Sequence, residues 1–216
     1  MKPHPFTPDF ESLPDTLPVF PLSGCVLLPL GQLQLNIFEP RYLNMVFDAL
    51  GAGRLLGILQ PDQSDDGEAL YSIGCAGRIS AFNETPDGRL LINLSGVCRF
   101  DTKEEIATIR GYRRFLVDWR RFKADMYEHE AVANTVQLIA LLDDFFKHKH
   151  IRADMETLKK LPSAALVNSL ATNLPFEPTD KQSLVEAMTL ADRAKLLMAL
   201  AKMSMASQGV SASTKH

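Results

Sequence analysis

The hydrophobic pattern of this chain changes period once, and that change limits the folds open to it. Up to about Phe122 the apolar residues alternate with polar ones or form short runs, as in strands. From about Met126 they recur every three or four residues, as on helix faces. The strand-like half also holds four interior glycines, Gly57, Gly74, Gly77 and Gly96. Glycine inside a strand marks a bulge or a sharp bend. About six bent strands suggest a small closed or nearly closed barrel rather than a flat sheet. The expected fold class is α+β: a β-barrel with one inserted helix, followed by an α-helical bundle.

The inserted helix is announced by "NIFEPRYLNMVFDAL", Asn36 to Leu50. Before it, Leu33, Leu35 and Ile37 alternate with Gln32, Gln34 and Asn36, which predicts a half-buried strand. After it, Leu43, Val46, Phe47 and Leu50 predict one buried helix face. Pro40 suits the first helical turn, and Glu39 is placed near the positive end of the helix dipole. Glu39-Pro40-Arg41 thus reads as a strand-to-helix corner. Glu39 is expected to hold helix amides or Arg41, and Glu39→Ala to cost about 1–3 kcal/mol. The functional reading is a recognition edge, in which Phe38 and Tyr42 offer aromatic surface beside the charges of Glu39 and Arg41.

The remaining pattern fills in the architecture. "LPVFPL", interrupted by Pro18 and Pro21, predicts an edge or opening segment. "TPDG" predicts a hairpin turn between two long strands, and a second hairpin is expected around Gly111. "DQSDDGEA" is read as an acidic surface loop. Val132, Val136, Ile139, Leu142 and Phe146 predict the first bundle helix. Asp154 and Thr189 are candidate N-caps, and Thr179 opens a capping-box signature with Gln182. The expected organisation is a flexible N-terminal arm over 1–16, a barrel over 17–122, a bundle over 123–206 and a disordered tail over 207–216.

Composition narrows the function. A net charge of -3 and a pI near 6.0 give no general pull towards nucleic acid or an anionic membrane. No apolar run reaches the roughly 18 residues of a membrane span, and the N-terminus has no apolar signal region. Three separated cysteines, Cys25, Cys75 and Cys98, form no CxxC and read as free thiols of a cytoplasmic protein. His148 and His150 are two residues apart, which on a helix points them in different directions, so no metal site is read there. The one basic-aromatic cluster, "RGYRRFLVDWRRF", contains Trp119 and raises RNA binding as an alternative. Acidic side chains outnumber basic ones over residues 1–120, so nucleic acid is not the expected partner. Met188, Met198, Met203 and Met205 crowd the last helices, as core filling or as an adaptable groove.

"LPVFPL", "VLLPLGQLQLNIFEPRYLNMVFDAL", "LYSIGCAGRI" and "DGRLLINLSGVCRF" together resemble the Lon N-terminal, or Lon substrate-binding, domain family. "LVNSLATNLPFEPTDKQSLVEAMTLADRAKLLMAL" is similar to the family's helical part, with a Lys-Gln start and an Asp-Arg near the last helix. The resemblance spans about Leu17 to Met205. It implies a PUA-like β-barrel followed by an α-helical bundle. It also implies a module that recognises protein substrates or partners for an ATP-dependent protease. No G-x-x-x-x-G-K-[ST] phosphate loop is present, and Lys202 and Ser204 face different ways on a helix. Zinc-binding modules found in other members are missing as well. The expectation is a stand-alone, non-catalytic binding module without cofactor, metal or membrane contact, monomeric or weakly self-associating. Its partners are unfolded or exposed polypeptide segments or a partner protein. Phe38, Glu39, Arg41, Tyr42 and Trp119 are the candidate partner-binding residues. The alternative is a small enzyme using a cleft between barrel and bundle, with Glu39 and a neighbouring His or Asp as acid and base.

Overall fold

Strands occupy the first half of the protein and helices the second, as the change of period predicts. The computed structural model describes residues 5–62, 69–127 and 135–211. In chain order these contain β1 (Thr16–Pro21), β2 (Gln32–Ile37), α1 (Pro40–Gly51), β3 (Leu55–Leu59), β4 (Ile73–Glu84), β5 (Leu90–Ile106) and β6 (Arg113–Asp118). The helices α2 (Thr135–His148), α3 (Met155–Lys160), α4 (Ser163–Asn173), α5 (Pro178–Glu186) and α6 (Leu190–Ser211) follow. Short 3-10 helices cover Phe10–Ser12 and Arg120–Met126.

The strands form one mixed sheet in the order β2-β5-β4-β3-β1-β6, with β1 and β3 parallel and the other pairs antiparallel. The long strand β5 gives its first half to β2 and its last residues to β6, so the sheet curls back on itself. A regular closed barrel is not what results. β2 stays outside the ring, bonded to β5 alone, and register shifts interrupt β4–β5 and β5–β6. One shift falls between Ala76 and Gly77. Gly96 serves a different purpose: a Cβ there would lie 1.9 Å from the Leu28 carbonyl oxygen, so only glycine lets the incoming loop cross β5.

β1 is not the edge its prolines predict, because it lies between β3 and β6. The two neighbours are staggered along it. Pro18 is in register with Arg114 of β6 only, and Pro21 with Leu59 of β3 only. Each proline sits where a single neighbour is present, so the missing N–H leaves no ladder broken on both sides.

Two apolar cores flank the sheet. One joins Leu17, Val19, Phe100, Val117, Trp119 and Phe122 to Leu142, Phe145, Leu166 and Leu197, and so runs across the expected boundary at 122/123. The second packs α1 against Phe20, Ile58, Ile79, Leu90 and Ile92. The buried face of α1 is Tyr42, Met45, Val46 and Ala49, leaving Phe47 51% exposed. The face is thus rotated by about one position from the predicted one, because Phe47 is apolar without being inward. In α2, Leu138, Leu142, Phe145 and Phe146 are buried and Val136 is exposed, while Val132 lies outside the described residues.

Of the three cap candidates, Asp154, Thr189 and Thr179, two act as caps. The Asp154 carboxylate accepts from the Glu156 and Thr157 amides, and Thr189 Oγ1 accepts from the Asp192 amide. Thr179 forms no capping box, because α5 begins one residue earlier, with Pro178 in its first turn after Glu177. The Thr85–Arg89 hairpin turn forms, with Gly88 at φ 81°. The N-terminal arm is shorter than expected. Leu13 is buried, and the Trp119 indole donates to the Pro14 carbonyl at 2.9 Å. The expected tail is also shorter, since α6 continues through Ser211 before residues 212–216, outside the description. Elongating an existing helix costs far less than starting one. Most of the acidic loop, at 63–68, likewise lies outside the described residues. No described helix is long and apolar enough to cross a membrane.

Candidate functional site

The junction between sheet and bundle is the first place to look for chemistry, and it is filled. Arg99 of β5 holds Asp125 through Nε at 2.8 Å and Nη2 at 2.9 Å, and its own amide also donates to that carboxylate. The remaining guanidinium protons go to the carbonyls of Val185, Ala187 and Met188 at the end of α5. Arg193 of α6 donates to Leu184 and Ala187 carbonyls and to Asn168 Oδ1. Asn168 in turn donates to the Pro29 carbonyl, tying α4 to the loop before β2. Lys181 caps the carbonyls of Gly24 and Thr172, and Gln182 reaches Ile73 in β4.

Burial, then the neighbouring Arg99 charge, lower Arg193 to about 10. Burial also lowers Lys181. Such desolvated cations persist only because carbonyl oxygens replace water around them. A cavity of about 10 Å³ remains here, lined by Cys25, Gln60, Cys75, Gln182 and Val185 among others. That is the lower limit for one water molecule, and no carboxylate or histidine lines it. The cleft that the alternative enzyme reading needs is instead a weld: its polar groups are spent on one another. The sequence shows Lys181-Gln182 and Asp192-Arg193 within the family resemblance and suggests helix capping for Gln182, but nothing in it points to their part in this junction. It did not single out Arg99 or Asp125, which carry no local pattern.

The corner at α1 is the second place. Glu39 leaves the helix amides to its own backbone carbonyl, which accepts from Tyr42 and Leu43 at 2.9 Å. Its carboxylate pairs instead with Arg41, Nη2 to Oε2 at 2.9 Å, with the side chains 42% and 53% exposed. The Arg41 guanidinium lies over the Tyr42 ring at 4.6 Å. Tyr42 itself is buried against Phe20, ring centroids 4.2 Å apart, and burial raises its pKa. Phe38 is 60% exposed, with Arg89 over its ring at 5.6 Å.

The β5–β6 hairpin leans on the same helix. Arg110 pairs with Asp48 at 2.8 Å and reaches Asn44, and Tyr112 donates to Asp48 at 2.9 Å. Ile109, at the hairpin tip, is fully exposed. The structure thus keeps Phe38, Glu39 and Arg41 exposed at the corner, with Asn44 and Asp48 carrying the hairpin along α1 and Phe47 exposed further along the helix.

Trp119 is elsewhere. It is 7% exposed and packs edge-on to Phe100, so it offers an indole edge at most to a shallow groove beside β6. The basic-aromatic cluster around it is similarly spent. Tyr112, Phe115, Trp119 and Phe122 are buried, and Arg110, Arg113, Arg120 and Arg121 pair with Asp48, Glu105, Asp118 and Asp101. Stacking platforms for bases need exposed rings and unspent cations. Among the described residues no group of three or more His, Cys, Asp or Glu could hold a metal ion.

A curled mixed sheet with an inserted helix, welded to a helical bundle, is the fold of Lon N-terminal domains. A Lon N-terminal domain protein from Xanthomonas campestris superposes with a TM-score of 0.64 at 24% identity, over 85% of this chain and 97% of that one. The N-terminal domain of Mycobacterium avium complex Lon protease gives 0.65 at 15% identity, over 87% and 98%. The chain belongs to the family described as the ATP-dependent protease La (LON) substrate-binding domain, whose model matches residues 16–202. Lon protease of Parabacteroides distasonis is 27% identical over 201 residues, and Lon protease 2 of Myxococcus xanthus 24% over 206. These alignments cover 89% and 88% of this chain but 24% of each relative.

Proposed function

We propose that this chain recognises exposed segments of other polypeptides and performs no chemistry on them. The observation that carries this reading is the corner surface. There Phe38 stands exposed beside the Glu39–Arg41 pair, and Phe47 of α1 and Ile109 of the neighbouring β5–β6 loop are exposed as well, the mixture of aromatic, aliphatic and Arg groups favoured at protein interfaces. The family description supports it, since the match covers a substrate-binding domain. The welded junction supports the absence of catalysis, because its titratable groups already have partners. The reading places the chain in the cytoplasm, where its thiols stay reduced, as a monomer or a weakly self-associating protein.

Binding of fluorescein-labelled, reduced and carboxymethylated lactalbumin, a permanently unfolded probe, tests this by anisotropy. The expected result is saturable binding to the purified protein that native lactalbumin does not compete away. Phe38→Ala combined with Phe47→Ala should weaken it without lowering the melting temperature. Absence of binding by the intact chain, or reproducible cleavage of the probe with ATP present, overturns the reading.

A further inference from the structure

We propose that the open edge of β2 is a docking site for an extended polypeptide segment, which adds to the sheet as a further strand. The inference rests on the reading above and names a place and a mode for it. β2 pairs with β5 over six residues, Gln32↔Ser95 to Ile37↔Leu90, without a register shift, and it ends the sheet. The Gly96 amide donates to Gly31 O and the Leu30 amide donates to Gly96 O, which fixes the phase of this antiparallel ladder. Bonded and non-bonded pairs alternate. Leu33, Leu35 and Ile37 therefore bond to β5, and the N–H and C=O groups of Gln32, Gln34 and Asn36 face away from it. No described residue takes up those groups at Gln34 and Asn36.

Natural edge strands are blunted by charge, proline or a bulge. "QLQLNI" has none of these. Its inner row is also unfinished. Leu35, Ile92 and Phe82 lie in register across β2, β5 and β4, yet Leu35 is only half-buried and Phe82 is 47% exposed. A further strand would continue that row with an apolar side chain beside Leu35. On the opposite face it would set polar side chains beside Gln34 and Asn36. Exposed Leu30 and Phe38 bracket the two ends. The occupant is thus an uncharged extended segment that alternates apolar and polar residues, the product of unfolding a β-rich protein. A second copy is the poorer occupant. A six-residue strand pair alone falls far short of the about 1,200 Å² that stable interfaces bury.

The probe is a labelled peptide alternating valine and threonine, with a lysine at each end for solubility, alongside a version N-methylated at alternate amides. Methylation removes donors along one strand edge and leaves every side chain in place. The full chain should bind the first peptide and lose at least about tenfold in affinity for the second. Gln34→Pro deletes an outward N–H without touching the β5 ladder, and Gln34→Lys adds a charge to the edge. Both should bind the first peptide at least about tenfold more weakly while melting as the parent does. Equal binding of the two peptides, or undiminished binding by both variants, overturns the inference. If the parent still binds unfolded lactalbumin in that case, recognition stands and only the edge fails. If the parent binds neither probe, the recognition reading fails with it. A parent dimer in sedimentation that Gln34→Pro dissolves, with no peptide bound, assigns the edge to a second copy and also overturns the proposal.

Discussion

Arg99 and Asp125 form a two-pronged ion pair in the interior, Nε to Oδ2 at 2.8 Å, with side chains 3% and 4% exposed. Truncating one member of such a pair leaves an uncompensated buried charge. Asp125→Ala should therefore cost about 3–5 kcal/mol, read as a lowered urea midpoint with little change in slope. Replacing both members with apolar residues often restores stability elsewhere. Here it should not. The carbonyls of Val185, Ala187 and Met188 would lose their donor, so Arg99→Met/Asp125→Leu should stay well below the parent. Recovery to the parent midpoint would show that those carbonyls need no donor from Arg99 and that the pair is dispensable once both charges are gone.

Glu39→Ala is expected to be mild. Its carboxylate holds only Arg41, both side chains are about half exposed, and the helix amides are served by the Glu39 backbone. Exposed pairs contribute about 0–1 kcal/mol, so the cost of about 1–3 kcal/mol anticipated from the sequence is too large. Glu39→Ala and Arg41→Ala should each melt within about a degree or two of the parent. A larger loss would mean that the corner depends on the carboxylate after all.

The elements were legible where local chemistry decides them. Asp154, Thr189 and the Thr85–Arg89 turn act within a few residues of themselves, and the sequence displays those residues side by side. The sheet order was not legible. Nothing near Pro18 says that its two neighbours are staggered. Gly96 marks a bend, but nothing beside it says that β5 leaves β2 there and later takes up β6, because that exchange depends on segments distant in sequence. The candidate site divided in the same way. Phe38, Glu39 and Arg41 lie within four residues of one another and share a surface. Trp119 was grouped with arginines by proximity, but it stands just past the end of β6, and its ring is buried like those of Phe115 and Phe122 around it.

Sheet and bundle should unfold together. One apolar core spans both, and Arg99, Lys181 and Gln182 stitch them across the middle. Trp119 is the sole tryptophan and reports the sheet, while far-UV circular dichroism reports the helices. The two signals should trace one urea transition. Separate midpoints would show two independently stable halves.

Alkaline pH should destabilise the protein through two buried thiols. Burial raises Cys75 well above its ordinary 9.0, and the nearby Asp125 carboxylate adds to this. Cys98 is raised by the same two causes. The folded chain keeps both thiol protons at a pH where the unfolded chain releases them. Unfolding then sheds protons, so stability falls as pH rises from about 9 upward and is flat with respect to these groups below it. Lys181 opposes the trend. Its lowered pKa makes the folded state release a proton first, which adds stability on approaching 10.5. Arg193, lowered to about 10, joins Lys181 only from about pH 10 upward, so below that two thiols face one amine and the urea midpoint should drop between about pH 8 and about pH 10. Cys75→Ala/Cys98→Ala should start lower, from the lost packing, yet fall less over that range, because the groups that release protons on unfolding are gone. Thiol reagents give an independent check. Half-buried Cys25 should react first in the native protein, with Cys75 and Cys98 following only on unfolding. If the double variant keeps the parent's full alkaline slope, the slope belongs to other groups and the thiol account is wrong.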